Sequence, residues 1–256
     1  MIDARAVVSP DARIHETAFV GPYAIIGADV EVGARTRIEG HAFVKGPATI
    51  GEDNHIFQFA SVGDDPQDKK YRGERTRLVI GNGNTIREYC TINRGTAQDQ
   101  GVTRVGDDNW LMAYTHIAHD CVVGSHTIFA NNASIAGHVH VEDYAILGGF
   151  TAVHQFCRLG ASSFCALFSA VTKDVPAWVM VSGQPAEPRS INAEGLKRRG
   201  FTEGQIRSAR DAYKILYRQG LSLEEAVDEL AGRIAAEPVL KPFVESLRAG
   251  SRGLVR

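Results

Sequence analysis

A step of six residues organises this chain. Apolar residues stand at Val8, Ile14, Val20, Ile26, Val32, Ile38, Val44, Ile50, Ile56 and Val62, and the register resumes at Ile80, Ile86 and Ile92. It resumes again at Val105, Leu111, Ile117, Val123, Phe129, Ile135, Val141, Leu147, Val153, Leu159, Cys165 and Val171. A second register of small residues lies two positions earlier: Ala6, Ala12, Ala18 and Ala24, then Thr115, Cys121, Thr127, Ala133, Ala145 and Thr151. Residues two apart on an extended segment face the same way, so both registers point inward. An α-helix would show a period of 3.6, which a strict six excludes. Glycine often follows the aliphatic site, as at Gly21, Gly33 and Gly124, which reads as a corner with unusual backbone angles. The chain is expected to wind as a parallel β-helix, one short strand per hexapeptide. Strands stacked about 4.8 Å apart in successive coils make an elongated column. The two registers fill its interior, so function must sit on the outside, in loops or between copies.

Two stretches break the repeat. Residues 63–79, with Asp-Asp-Pro-Gln-Asp-Lys-Lys-Tyr-Arg-Gly-Glu-Arg-Thr, and residues 94–104, with Gly-Thr-Ala-Gln-Asp-Gln-Gly, read as loops protruding from the column. After Val171 the repeat stops and a Pro-rich connector leads to Pro188. The expected division is a solenoid over 1–185 and a helical domain over 186–256. Thr202 followed by Gln205, and Ser222 followed by Glu225, are capping-box patterns for two helix starts. Gly220 and Pro238 mark stops, and a third helix is expected from about Leu240 to Arg248. These helices would cover the open end of the solenoid. The segment from Asn192 to Gly200 is polar and reads by default as a solvated charged face.

The charge balance, 28 Lys+Arg against 30 Asp+Glu, gives no reason to expect a nucleic-acid partner. No apolar run is long enough for stable membrane insertion. The start, Met-Ile-Asp-Ala-Arg, lacks the pattern of a signal peptide. Cys90, Cys121, Cys157 and Cys165 have no paired-ligand spacing and read as buried, reduced thiols, so a cytoplasmic location is expected.

Histidines interrupt the repeat between residues 114 and 155. The repeat resembles that of the hexapeptide-repeat acyltransferases, and the resemblance implies that three hexapeptides close one coil of eighteen residues. His119 and His138 are nineteen apart, and His154 follows sixteen later, which places three imidazoles near one corner. Taken singly, such histidines simply cover a surface; taken together they suggest metal binding or proton transfer. The β-helical carbonic anhydrases hold zinc with histidines five apart and a third about two coils upstream. Here His116 and His119 are three apart with no histidine at the upstream place, so no metal is expected. Proton transfer fits better, because imidazole titrates near neutrality. Asp120 directly follows His119 and is placed to orient its ring. Gly137 offers a backbone N–H without a side chain in the way, suited to an oxyanion.

The segments Ala118-His119-Asp120-Cys121, Ala130-Asn-Asn-Ala133, Ala136-Gly-His138, Ala152-Val-His-Gln-Phe156 and Asn192-Ala-Glu-Gly-Leu-Lys-Arg-Arg-Gly-Phe201 resemble the UDP-N-acetylglucosamine acyltransferases. These are hexapeptide-repeat enzymes of the first step of lipid A biosynthesis, and the similarity covers essentially the whole chain. The resemblance implies an all-β left-handed parallel β-helix of triangular section with a C-terminal α-helical domain. It implies a homotrimer with active sites in clefts between neighbours. His119 would deprotonate the glucosamine 3-hydroxyl of UDP-N-acetylglucosamine. That oxygen would attack the thioester of a 3-hydroxyacyl chain on the phosphopantetheine of acyl carrier protein, with no cofactor of the enzyme's own. Gly137 would be the oxyanion donor. Asp68 and Lys70, with Gln67 beside them, would bind the sugar. His116, His138, His154 and Gln155 would hold the nucleotide sugar or the acyl 3-hydroxyl. Asn192, Glu194 and Arg198, with Arg199 next to them, would contact the uridine end. Lys197, Arg198 and Arg199, with Arg158 and Lys173, would offer acidic acyl carrier protein a landing site.

The chain departs from that family at Asn93 and Pro185, where members often carry histidine. Leu167 stands at the position resembling the acyl-length ruler, where glycine accompanies longer chains. A leucine would fill the end of the groove and favour a medium chain, about ten to twelve carbons by analogy. The related N-acyltransferase carries an extra N-terminal domain, whereas here the repeat begins by Val8. A coenzyme-A-dependent acetyltransferase would not predict the Asn192–Phe201 segment. A non-enzymatic scaffold would leave the histidines and both polar loops unexplained. Whether the acceptor presents a 3-hydroxyl or a 3-amino group stays open at the level of sequence.

Overall fold

Each hexapeptide forms a two- to four-residue strand, as at Phe19–Val20, Ile25–Ile26 and His116–Ile117, in a computed structural model that describes residues 1–250 and 252–256. Strand partners lie eighteen residues apart, Val7 with Ile25 and Val122 with His140, so three strands close one coil. The strands sort into three faces of a prism. The first face holds nine strands from Val7–Val8 to Ala170–Val171, and the second holds eight from Arg13–Ile14 to Arg158–Leu159. The third holds ten, from Phe19–Val20 to a closing pair, Val179–Ser182 and antiparallel Glu187–Ile191. We call the corner joining the first face to the second the first edge. The second edge joins the second face to the third, and the third edge leads back to the first face.

The large register is buried from Val20 to Val171, while Val8 and Ile14, in the open first coil, are only partly covered. The small register is likewise buried from Ala18 onward, and it includes three residues that hydropathy hides. Asn84 Nδ2 donates to Asn54 Oδ1 and Asn109 Nδ2 to Asn84 Oδ1, each at 2.9 Å, and Thr127 Oγ1 donates to Asn109 Oδ1 at 2.6 Å. This ladder satisfies amides that would otherwise be costly to bury. All four cysteines are buried and free, and burial pushes the thiols of Cys121 and Cys165 up to about 12. They are inert.

The corners differ from the sequence expectation. Left-handed backbone angles fall three residues after the aliphatic site, on non-glycine residues such as Tyr23 (φ 60°), Asp120 (φ 59°) and His138 (φ 63°). The glycine directly after the aliphatic site has a different reason. A Cβ on Gly21 would stand 2.6 Å from the backbone N of Gly40 in the next coil. Close approach of successive coils selects glycine there, and of that series only Gly63 has a positive φ.

Ile80 pairs with Ile50, thirty residues earlier, and Val105 pairs with Ile80, twenty-five earlier. The excess chain leaves as residues 65–76 and 94–101, and both loops hang from the first edge. The stretch expected to be a connector is instead a β-hairpin, so a division between 185 and 186 falls in its turn. Pro188 is tolerated because its strand is outermost in the sheet. Among the described residues four α-helices follow, α1 (Ala193–Arg198), α2 (Glu203–Arg218), α3 (Leu223–Arg233) and α4 (Lys241–Arg248), with a 3-10 turn at Pro238–Leu240 before the last. Both capping boxes are formed, at Thr202 with Gln205 and at Ser222 with Glu225. The segment read as a solvated face is helix α1, started by Asn192 Oδ1 accepting from Gly195 N at 3.0 Å and anchored by buried Leu196. Trp178, at the end of the prism, stacks on Phe243 of α4 at 5.4 Å, which joins the two cores. No helix among the described residues is long and apolar enough to cross a membrane.

Candidate active site

The strand His116–Ile117 lies in the first face, and Ala118-His119-Asp120 after it turns the first edge. Asp120 takes the left-handed angles that aspartate tolerates better than most residues. Its carboxylate is buried and fully engaged. Oδ2 lies 2.9 Å from His119 Nδ1 and accepts from Thr96 Oγ1 at 2.6 Å, while Oδ1 accepts from Thr96 N at 2.8 Å. Asp120 N donates to Thr103 Oγ1 at 2.8 Å. Burial pushes this carboxyl upward, but the hydrogen bonds from His119 and Thr96 outweigh it and hold it below the usual carboxylate range. An ionised Asp120 can only accept, so Nδ1 of His119 donates, and in the neutral ring the lone pair then lies on Nε2. The His119 side chain remains 15% exposed.

One coil further on, a Cβ on Gly137 would stand 2.5 Å from His119 Cε1 and 2.8 Å from Nε2. Any side chain there would displace the imidazole. The Gly137 N–H has no acceptor among the described residues. His138 N donates to His119 O at 3.0 Å, and the two rings meet edge to face at 5.1 Å. The His138 ring also stacks on Phe156 at 4.5 Å, and its Nδ1 lies 2.8 Å from Asp99 Oδ2. His116 is partly buried with Nδ1 2.7 Å from Thr91 Oγ1; burial, then the neighbouring His119, lower its pKa.

The three imidazoles do not form one column. Nineteen residues carry His119 one coil and one place along, so His138 stacks above Asp120. Sixteen residues fall two places short of a coil, so Phe156 takes the position over His138 and His154 stands above Ala136. His154 and Gln155 are exposed, and His154 Nδ1 lies 3.2 Å from Arg252 Nη2. Gln67, Asp68 and Lys70 belong to the 65–76 loop of the same edge. There Asp68 Oδ1 accepts from Lys70 N at 2.9 Å, and none of the three bonds to His119. Buried Arg94 ties that loop down, donating to Gly63 O at 2.6 Å and Tyr71 Oη at 3.1 Å and pairing with Asp65. Asn93 is buried too and donates to Asp65 O at 2.9 Å.

A cavity of about 420 Å³ lies at the second edge and the adjoining third face, where Asn192, Glu194, Arg198 and Arg199 gather over Tyr144 and Ile146. The Arg199 guanidinium sits 3.8 Å from the centre of the Tyr144 ring, and burial lowers its pKa. Leu167 is exposed beside the third edge. Arg158 is ion-paired with Glu142 at 3.1 Å on the second face, and Lys173 turns the first edge, so these two cations do not share the α1 surface of Lys197 to Arg199.

His119, Asp120 and His138 are the one group among the described residues with three potential metal-ligating atoms within 4.8 Å. Asp120 Oδ2 already receives His119 and Thr96, and His138 Nδ1 is occupied by Asp99. That donor set suits a proton relay better than a coordination sphere. Thr96, Thr103 and Asp99 were not singled out by sequence. Their only signal is membership of an interruption in the repeat.

Comparison with known proteins converges with this geometry. Residues 174–255 match the model described as Udp N-acetylglucosamine O-acyltransferase, Domain 2, and residues 11–46 and 103–137 match Bacterial transferase hexapeptide (six repeats). Acyl-(acyl-carrier-protein)–UDP-N-acetylglucosamine O-acyltransferases are similar over the full chain. That of Stutzerimonas stutzeri is 53% identical and that of Thiobacillus denitrificans 54%, each covering 100% of this chain and 99% of the relative. The crystal structure of UDP-N-acetylglucosamine O-acyltransferase from Moraxella catarrhalis superposes with a TM-score of 0.98 at 44% identity, over 100% of this chain and 99% of that one. The prism thus has the left-handed winding of those relatives. The chain belongs to the acyl-(acyl-carrier-protein)–UDP-N-acetylglucosamine O-acyltransferase family.

Proposed function

We propose that this O-acyltransferase moves a 3-hydroxyacyl chain from acyl carrier protein to the 3-hydroxyl of UDP-N-acetylglucosamine, the first step of lipid A biosynthesis, with His119 as general base. The observation that carries the reading is the buried Thr96–Asp120–His119 relay, which leaves Nε2 of His119 as the free lone pair. Nε2 takes the hydroxyl proton as the sugar oxygen forms its bond to the thioester carbon. The carbonyl oxygen becomes an oxyanion facing the Gly137 N–H. Collapse breaks the carbon–sulfur bond, and the imidazolium returns its proton to the departing phosphopantetheine thiolate. Ionised Asp120 stabilises the imidazolium throughout. Nothing in this sequence of steps calls for a cofactor, and the enzyme is expected to work in the cytoplasm, where acyl carrier protein supplies the donor.

The site needs a second copy. His119 stands on the first edge, while Asn192, Glu194, Arg198 and Arg199 line a cavity at the second edge of the same prism. A homotrimer of parallel prisms would bring one copy's first edge against the next copy's cavity, with the diphosphate met by Arg198 and Arg199 and uracil by Asn192 and Glu194. Asp68, Lys70 and Gln67 would hold the sugar, and His116, His138, His154 and Gln155 the acceptor or the acyl 3-hydroxyl.

Incubating the protein with UDP-N-acetylglucosamine and a panel of 3-hydroxyacyl carrier proteins, with product mass as readout, tests the reading. The expected product gains one 3-hydroxyacyl group, and His119→Ala should lower kcat by about 10³-fold with little change in KM. Absence of an acylated sugar nucleotide, or a variant within tenfold of the parent, refutes it. Leu167 would end the acyl groove, so a medium chain is preferred. Leu167→Gly should move that preference to longer donors; an unchanged profile removes Leu167 from the ruler.

A further inference from the structure

The last residues of the chain return to the edge that carries His119. Asp174, buried at the first edge of the final coil, exchanges backbone hydrogen bonds with the tail: its N donates to Gly253 O at 2.8 Å, and its O accepts from Val255 N at 2.9 Å. Its carboxylate accepts from Arg252 N at 3.0 Å and Arg158 N at 2.7 Å. Leu254 and Val255 are buried beside it. The tail is held by backbone groups, the Asp174 carboxylate, Leu254, Val255 and the Arg256 side chain, which donates to Leu221 O, and none of these contacts uses the side chain of Arg252.

That side chain reaches His154. Arg252 Nη2 lies 3.2 Å from His154 Nδ1, and the same Nδ1 lies 3.2 Å from Gln155 O. The two contacts are mutually exclusive. Guanidinium can only donate, so its bond needs a lone pair on Nδ1 and puts the ring proton on Nε2. The contact to Gln155 O needs the opposite tautomer, with the proton on Nδ1. With the Arg252 bond formed, His154 presents an N–H donor at the exposed end of its ring; with the Gln155 bond formed, it presents a bare lone pair.

We propose that Arg252 is a positioning residue of the acyltransferase, which fixes His154 as the Nε2–H tautomer so that it donates a hydrogen bond to an oxygen of the bound substrate. The proposal rests on the reading of the first edge as the catalytic edge. Substrate oxygens such as amide carbonyl, ester or phosphate oxygens accept such a bond, and the other tautomer would set lone pair against lone pair. The C-terminal tail is then part of the site rather than a frayed end.

Two measurements on the full-length enzyme test this. The first is the His154 tautomer, read from the 15N shifts of the imidazole in histidine-labelled protein, with His154→Gln assigning the signal. The parent should show a protonated Nε2 and a bare Nδ1, and Arg252→Ala should shift the signal toward Nδ1–H. The second is a double-mutant cycle in kcat/KM. Arg252→Ala should cost about tenfold, the scale of one orienting hydrogen bond, with Arg252→Lys recovering part of it. In a His154→Ala background the same change should cost less than about twofold, because its target is gone. An unchanged tautomer, or the same tenfold loss in both backgrounds, overturns the proposal. Loss of the tail's docking would lower the melting temperature of Arg252→Ala and Arg252→Lys alike without the rescue, and it also overturns the proposal. Parent activity in these assays separates either failure from failure of the acyltransferase reading.

Discussion

The first and third edges of the prism share one backbone and differ in what they carry. On the third edge the left-handed corner positions form a stack of exposed rings: Tyr23 on His41 at 5.2 Å, His41 on Phe59 at 5.4 Å, Phe59 on Tyr89 at 5.3 Å and Tyr89 on Tyr114 at 4.8 Å. On the first edge the same position holds Asp120, His138 and Phe156. Each edge has a corner histidine. His41 is held between two rings and has no carboxylate partner among the described residues, whereas His138 stacks on one ring and bonds to Asp99. The difference comes from the insertions. Both loops leave the first edge, and loop 94–101 brings Thr96 and Asp99 against corners that would otherwise only stack. A repeat becomes a site where a loop supplies hydrogen-bond partners to ring positions the scaffold already provides.

That contrast can be broken by substitution. Among substitutions that leave His119 itself in place, Asp120→Asn should have the largest effect, a loss of about 10²-fold in kcat, because a neutral amide no longer selects the Nδ1–H tautomer of His119. Steady-state kinetics at neutral pH would measure it, and a loss below threefold would remove Asp120 from the relay. His138→Phe keeps the stack on Phe156 but severs Asp99, and should cost about tenfold in kcat/KM. The matching change on the other edge, His41→Phe, should leave kcat/KM within about twofold. Equal losses at the two histidines would erase the distinction between the edges.

The smallest expected effect concerns stability. Asp120 has a folded-state pKa below its unfolded value, so its contribution is complete above the unfolded value of about 4 and is lost as pH falls further. Urea midpoints for the parent should therefore drop between pH 5 and pH 3.5 more steeply than those of Asp120→Asn, while His41→Phe keeps the parental slope. Parallel curves for parent and Asp120→Asn would contradict the assigned ionisation.

The solenoid was legible because every coil repeats the same physical demand: a large and a small residue inward, six residues per side. The candidate site was legible at His119, Asp120 and Gly137, since these break the pattern on one corner. What lay outside the repeat was hidden. The Thr96 contact with Asp120 spans 24 residues, that of Asp99 with His138 spans 39, and that of Arg252 with His154 spans 98. No local pattern announces a partner at such separations. The misplaced strain at glycines has a related cause, because close approach between coils and a positive φ both select glycine and only coordinates separate them. Helix α1 was missed because six residues with one buried leucine give no readable period.

The central claim is that one copy's His119 acts on substrate held in another copy's cavity. The direct measurement is subunit complementation: His119→Ala and the double variant Arg198→Ala, Arg199→Ala, each inactive alone, are unfolded together in equal amounts and refolded as mixed trimers. A site shared between copies should return activity to about a quarter of the sites under random assortment. A mixture as inactive as its two parents would place both halves of the site in one chain and contradict the account.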